Sequence, residues 1–183
     1  MSRAPIDAAS LAEVLEYIPE TGVIFFRHRA DRWFSSPAQA IAWNARWAGE
    51  VALQSVDADG YFFGSVFGRL YKAHRVAFAL HTGEWPKFQI DHINGRRQDN
   101  RICNLRDVPA AVNQRNKART RLNTSGVSGV TFCPRKQRWR VRARMPGGAK
   151  KSFGSYASIE EATAVRKAAE VAFGYHENHG RSA

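Results

Sequence analysis

Turn signals recur at short intervals along this chain and limit every helix or strand between them. Pro19-Glu20-Thr21-Gly22, Asp59-Gly60, Gly68, Gly83, Ile93-Asn94-Gly95 and Pro146-Gly147-Gly148 supply the left-handed or proline-fixed backbone that tight reversals need. Helical and alternating apolar patterns lie between them, which predicts an α+β fold of N-terminal helices and hairpins, then two-strand and three-strand units. A helix is expected over residues 7–18, with Leu11, Val14, Leu15 and Ile18 on one face, and a strand over 23–26. Ser36-Pro37 offers an N-cap with proline at the first helical position, so a second helix should run to about Trp47 and stop before Gly49. Strands over 65–67 and 69–72 should flank Gly68, followed by a short helix from His74 to Leu80 ended by Gly83. His74 there reads as packed or capping.

Farther on, residues 89–93 read as a strand, 94–101 as a polar loop and 104–108 as a returning strand. Pro109 should open a helix to about Thr120, and 119–125 reads as a linker. Strands are expected over 129–133, 139–145 and 151–153. Ser158 with Glu161 forms a capping box for a last helix to about Phe173, with Ala162, Val165, Ala169 and Ala172 inward. The expected division is residues 1–122 and 123–183.

Charge separates the two ends more sharply than apolar content does. Residues 1–90 carry nine Lys/Arg and nine Asp/Glu, whereas 91–183 carry nineteen and seven, so the whole formal charge of +12 lies in the second half. That half is expected to meet a polyanion. Two cysteines, Cys103 and Cys133, make no zinc-knuckle set and read as reduced thiols. No apolar signal core and no stretch near the ~20 apolar residues of a membrane span is seen, so a cytoplasmic protein without a membrane partner is expected.

The basic half opens on Ile90-Asp91-His92-Ile93-Asn94-Gly95, followed by Asn104-Leu105-Arg106 and Asn113. Asp91 and Asn113 offer hard oxygen donors suited to one divalent ion, Mg²⁺ first and Mn²⁺ second. His92 offers an imidazole that accepts a proton near neutral pH. The two neighbours would leave opposite sides of a strand unless it ends at Ile93-Asn94-Gly95.

Asp91-His92-Ile93-Asn94-Gly95, Asp99-Asn100-Arg101, Asn104-Leu105-Arg106, Asn113 and Asn116 together resemble the HNH endonuclease family in its phage and homing-endonuclease branch. Tyr71 to Ala77 and Thr82-Gly83-Glu84-Trp85-Pro86 resemble the lead-in of such proteins, so the likeness covers about residues 50–120. It implies a ββα-metal unit over about 88–120 that hydrolyses phosphodiesters of double-stranded DNA, one strand per active site. By the resemblance His92 is the general base, Asp91 and Asn113 are metal ligands, and Asn104 pins the loop that orients the histidine. Asn113 stands where many relatives have histidine. Arg96, Arg97, Arg101, Arg106, Arg115, Lys117 and Arg119 would form the cationic surround that brings in DNA. A non-cleaving DNA-binding regulator on the same scaffold is the rival expectation, and RNA binding a third.

In Arg138-Trp139-Arg140-Val141-Arg142-Ala143-Arg144 the residues alternate strictly, placing four arginines on one sheet face and Trp139, Val141 and Ala143 on the other. Arg135, Lys150 and Lys151 add charge nearby, and such a sheet suits the DNA major groove. Ser125 to Val130, Arg138-Trp139-Arg140, Phe153-Gly154-Ser155-Tyr156 and Glu160-Glu161-Ala162 resemble the plant ethylene-response-factor type of DNA-binding domain. That likeness implies that the sheet, including Trp139, reads DNA while the helix braces it from behind.

Overall fold

The computed structural model describes residues 6–113, 116, 119–120 and 122–181. The fold is mixed α+β, built from short helices and small sheets as the turn spacing required. The chain divides into two compact units, Met1–Asp107 and Val108–Ala183.

The first unit opens with helix α1 (Ala8–Val14), capped by Asp7, whose carboxylate accepts from the Ser10 amide at 2.8 Å. The expected helix to Ile18 is cut short. Leu15–Ile18 leave it as strand β1 and pair antiparallel with β2 (Val23–Phe26). The Pro19–Gly22 reversal lets the hairpin form, and Gly22 has φ +78° as its tight turn demands. Once paired, Leu15 remains buried while Tyr17 and Ile18 gain cross-strand partners, which a fourth helical turn would deny them.

Helix α2 (Pro37–Trp47) has the expected bounds, with Ser36 accepting from the Gln39 amide. Strands β3 (Ser55–Val56), β4 (Phe62–Val66) and β5 (Arg69–Lys72) form an antiparallel meander. Strand β4 starts and ends earlier than expected because Phe67 joins Gly68 in the turn. Both have positive φ, +50° and +71°, the requirement of a primed hairpin turn. Phenylalanine is an unusual choice there, since left-handed backbone costs a residue with a Cβ about 1–2 kcal/mol. Helix α3 (Ala73–Thr82) ends at left-handed Gly83, whose amide donates to the Ala79 carbonyl at 2.9 Å. Strands β6 (Gln89–His92) and β7 (Leu105–Val108) pair to finish the unit. Leu11, Val14, Leu15, Ile24, Val66, Val76, Ile90 and Leu105 share one core, which ties the helices and hairpins to the β6–β7 pair.

In the second unit α4 covers Ala110–Asn113. Arg119 and Thr120 are not helical, so the helix expected to reach Thr120 does not. Strands β8 (Val130–Cys133), β9 (Arg138–Arg144) and β10 (Lys150–Tyr156) form an antiparallel sheet in the order β10-β9-β8. Strand β10 runs past the expected residue 153 to Tyr156. It crosses a register shift between Ser152 and Ser155, where Gly154 adopts φ +105°. Helix α5 (Ile159–Ala172) starts at the expected cap, Ser158 accepting from Glu161 at 3.1 Å. Its inner face holds Ala162 and Ala169, with Val165 partly buried, but Ala172 is exposed and Arg166 and Glu170 are buried instead. Arg166 is enclosed because Glu170 Oε1 lies 3.1 Å from its Nε, Tyr175 stacks on its guanidinium at 4.7 Å, and its NH1 donates to the Arg142 carbonyl. Among the described residues no helix is long and apolar enough to cross a membrane.

Candidate active site and basic sheet

Strand β6 carries the motif into the first unit's interior. Ile90 is packed in the core, and the next two side chains are also enclosed, Asp91 at 5% exposure and His92 at 4%. His92 is the last strand residue. Gly95, at φ +73°, returns its amide to the His92 carbonyl at 2.8 Å, so the strand turns where the sequence suggested. Asp91 faces β7, where Arg106 donates to its Oδ2 from Nε at 2.9 Å and NH2 at 2.7 Å. His92 faces the loop after the turn, and its Nε2 lies 3.2 Å from Asn100 Oδ1. A carbonyl oxygen can only accept, so in that contact Nε2 is the donor.

Three side chains fix this loop. Asn104, 5% exposed, accepts from the Asn94 amide at 2.8 Å and donates to the Asp99 carbonyl at 2.8 Å, tying both ends of the reversal together. Asp99 accepts from Asn94 at 2.7 Å and from Arg101 at 2.6 and 2.7 Å, which holds its carboxyl at about 2. From the other side the β1–β2 hairpin braces the same stretch. The Tyr17 hydroxyl donates to the Asn100 carbonyl at 2.7 Å, and the Ile102 amide to the Pro19 carbonyl at 3.1 Å.

Two further rings pack against His92. His74 from α3 meets it edge-on with centroids 5.2 Å apart, and Tyr61 lies 5.7 Å from it and 5.0 Å from His74. An Asx turn places Tyr61, with Asp57 Oδ1 accepting the amides of Asp59 and Tyr61 at 2.9 Å. Burial pushes His74 down to about 3 and also lowers His92, partly offset by Asn100 and Asp91. Both imidazoles are therefore neutral at pH 7. His74 is packed, as expected, but it packs on the motif histidine itself. Among the described residues its buried Nδ1 has no hydrogen-bond partner, so charging it would cost solvation with no local return.

The remaining motif residues have varied settings. Asn113 closes α4 in the second unit, whereas Asp91 lies in the first. Among the described residues no three His, Cys, Asp or Glu side chains form a metal cage. Carboxylate and amide oxygens are each hard donors of the kind Mg²⁺ takes beside waters and phosphate oxygens. Arg96 and Arg97 are exposed, the latter donating to the Asp59 carbonyl and stacking on Tyr61 at 5.1 Å. Arg101 and Arg106 are committed to Asp99 and Asp91, and Arg119 bonds the Gly126 carbonyl. Arg115 and Lys117 lie outside the described residues.

Sequence reading alone gave Asn100 and the Pro19–Gly22 turn no part in the site, and took Tyr61 for core packing. An asparagine in a polar loop carries no mark of the histidine eight residues before it, although Asp99-Asn100-Arg101 belonged to the recognised pattern.

In the second unit the alternation in β9 is realised. Val141 and Ala143 are buried, while Arg138, Arg142 and Arg144 are exposed and Arg140 is half-buried. Trp139 is half-buried on the packed side, its ring 5.0 Å from that of Phe132. Across the sheet Arg140 pairs with Thr131 and Ser155, and Arg142 with Ser152. Small hydroxyl residues thus leave room around the guanidiniums and provide no counter-charge. Arg138 donates to the Ser155 carbonyl at 3.3 Å and Arg144 to Gly148 at 3.1 Å, which anchors the ends of the row. Arg135, Lys150 and Lys151 are exposed around it.

Residues 71–115 match the family model described as HNH endonuclease, a segment that includes α3, β6, the pinned loop and β7. Among solved structures the chain is similar to one titled "DNA binding and cleavage by the HNH homing endonuclease I-HmuI". The two are 20% identical, with 95% of this chain and 94% of that chain covered and a TM-score of 0.41, too loose a likeness to establish a common fold. No curated protein matches the chain.

Proposed function

We propose that the chain is a divalent-metal-dependent DNA endonuclease in which His92 is the general base. One observation carries the reading: a buried, neutral imidazole ends β6 with its tautomer set by Asn100, inside the segment that matches the HNH endonuclease model. Hydrolysis needs water deprotonated as it attacks phosphorus, and a neutral His92 takes that proton. Asn104 holds the loop, and Asn100 and the rings of His74 and Tyr61 hold the imidazole plane, so the base does not reorient during the reaction. A divalent ion held by Asp91 and Asn113 would supply charge neutralisation at the phosphate and at the departing oxygen. Arg106 holds the Asp91 carboxylate in place for that task. The products are 5′-phosphate and 3′-hydroxyl ends, with one strand cut per site.

The arginine face of β9 would grip the duplex. Arg140→Ala with Arg142→Ala should weaken DNA binding and lower the slope of log affinity against log salt by about 2, roughly one unit for each phosphate no longer neutralised. An unchanged slope in filter-binding or fluorescence titrations would remove the sheet from the interface. The decisive experiment for the whole reading is conversion of supercoiled plasmid to nicked circles. Activity with Mg²⁺ or Mn²⁺ and its loss in EDTA are expected. Tight DNA binding with no nicking under any of these metals would make the chain a DNA-binding regulator instead.

A further inference from the structure

The first unit contains a second polar site that cleavage chemistry does not use. A groove of about 700 Å³ lies between β2, α2 and the β3–β5 meander, walled by Phe26, Trp43, Trp47, Phe63 and Phe67. Its one cation among the described residues is Arg29, 5% exposed. The guanidinium lies 3.8 Å from the Trp43 ring centroid, 4.6 Å from Phe67 and 5.5 Å from Phe26. Among the described residues its buried Nε has no hydrogen-bond partner and no carboxylate pairs with it. Its backbone is held from behind, the amide donating to Asn44 Oδ1 and the carbonyl accepting from Asn44 Nδ2, both at 2.9 Å. Desolvation draws it down to about 10, so it remains charged at neutral pH.

Backbone strain gathers at the same groove. Leu53 at φ +57° and Phe67 at φ +50° both line it, although bulky residues rarely adopt left-handed backbone. Asparagine or glycine would suit the Phe67 turn position better. Phenylalanine there instead delivers a ring that stacks on Trp33 at 4.7 Å and covers Arg29. Gly64 leaves room for the Leu53 side, since a Cβ would come within 2.8 Å of the Leu53 Cα.

Such a groove asks for a flat ring, an anion and hydrogen-bonding edges in one ligand. The aromatic walls supply stacking surface, exposed Gln54, Ser55 and Ser65 supply polar contacts at the rim, and Arg29 supplies the anion site. The geometry points to a nucleotide-binding site, with the base against the aromatic wall and the phosphate on Arg29. The ligand is either a free mononucleotide or one nucleotide of an unpaired strand. Aromatic stacking is tolerant of base identity, so the site is expected to discriminate on the phosphate more than on the base.

Tryptophan fluorescence and calorimetry with the metal-free full chain test this without cleavage. The probes are deoxyadenosine monophosphate, deoxyadenosine, inorganic phosphate and a four-residue oligo-deoxyadenylate. Saturable binding of the monophosphate is expected, with deoxyadenosine and phosphate each at least about tenfold weaker, as one charge-assisted hydrogen bond or one stacked base would give. Tighter binding of the oligonucleotide assigns the site to an unpaired strand, whereas equal binding assigns it to the free nucleotide. Arg29→Met should weaken the monophosphate at least about tenfold while keeping its melting temperature, since the guanidinium has no ionic partner in the fold. Phe67→Asn, which suits the turn, should stay folded and weaken the monophosphate. The proposal is overturned if wild type binds neither monophosphate nor oligonucleotide. It is equally overturned if folded Arg29→Met binds both as tightly, or if an acidic peptide displaces the monophosphate and binds more strongly. Plasmid nicking by Arg29→Met is read separately, so failure of this site leaves the cleavage assignment standing, and the reverse also holds.

Discussion

His92→Ala should reduce single-turnover cleavage at saturating DNA by about 10²–10⁴-fold, the range that a positioned general base contributes. DNA affinity should change little, because His92 is 4% exposed and reaches the loop through Asn100, not the basic surface. His92→Gln is the stricter variant, since it preserves a polar group of similar reach while removing the titratable nitrogen. The pH profile gives an independent readout. Burial holds the folded His92 below the ordinary value of about 6.5, and only the neutral ring can accept a proton. Cleavage should therefore rise with pH through a limb lying below 6.5 and be flat above it. That limb should vanish in His92→Gln. Replacing Asn100, whose hydrogen bond opposes the lowering, should move the limb further down. Wild-type cleavage in His92→Ala, or a limb unchanged in His92→Gln, would falsify the assignment of the base.

How much of this was legible before the fold was known depended on whether the informative contact is local. Ser36-Pro37 and Ser158 with Glu161 are caps satisfied within three residues, and α2 and α5 begin where those residues say. The period-two arginine pattern is equally local, and β9 realises it. Leu15–Ile18 continued an apolar helical face, and only pairing with Val23–Phe26 turns it into a strand. Arg166 and Glu170 form an i,i+4 ion pair that no local pattern marks as buried. Their burial depends on Tyr175 and on the Arg142 carbonyl, which lie in other elements. At the candidate active site the motif named Asp91, His92 and Asn104. The partners that orient them, Arg106, Asn100, Tyr61 and His74, come from four separate stretches of chain. Arg106 shows the limit most clearly: composition made it one cation among many, and the fold assigns it to Asp91.

Gly22→Ala should be strongly damaging although it lies outside the motif, and it acts through the fold. At φ +78° the residue is left-handed, so any side chain there is strained by about 1–2 kcal/mol. Space makes the cost larger. A Cβ at this position would lie 2.5 Å from the Arg101 amide nitrogen and 2.6 Å from the Asn100 carbonyl carbon, and both are backbone atoms. A flexible side chain could swing aside, but this backbone is tied by Tyr17 to the Asn100 carbonyl and by Pro19 to the Ile102 amide. Overpacking of that kind adds about 1–3 kcal/mol, so a total loss of about 2–5 kcal/mol is expected in urea unfolding. The displaced residue is Asn100, whose side chain sets the His92 tautomer, so the injury should reach catalysis as well as stability. A shift of about 1 Å in a catalytic group can cost on the order of 10²-fold in rate. In protein kept folded at low temperature, Gly22→Ala should cleave about 10²-fold more slowly at saturating DNA. DNA affinity should be near normal, since the turn bears none of the basic residues. Asn100→Ala should reproduce the catalytic loss without the left-handed strain. If Gly22→Ala melts and cleaves like wild type, the hairpin does not hold the loop. If it is destabilised but cuts normally once folded, Asn100 does not orient the base.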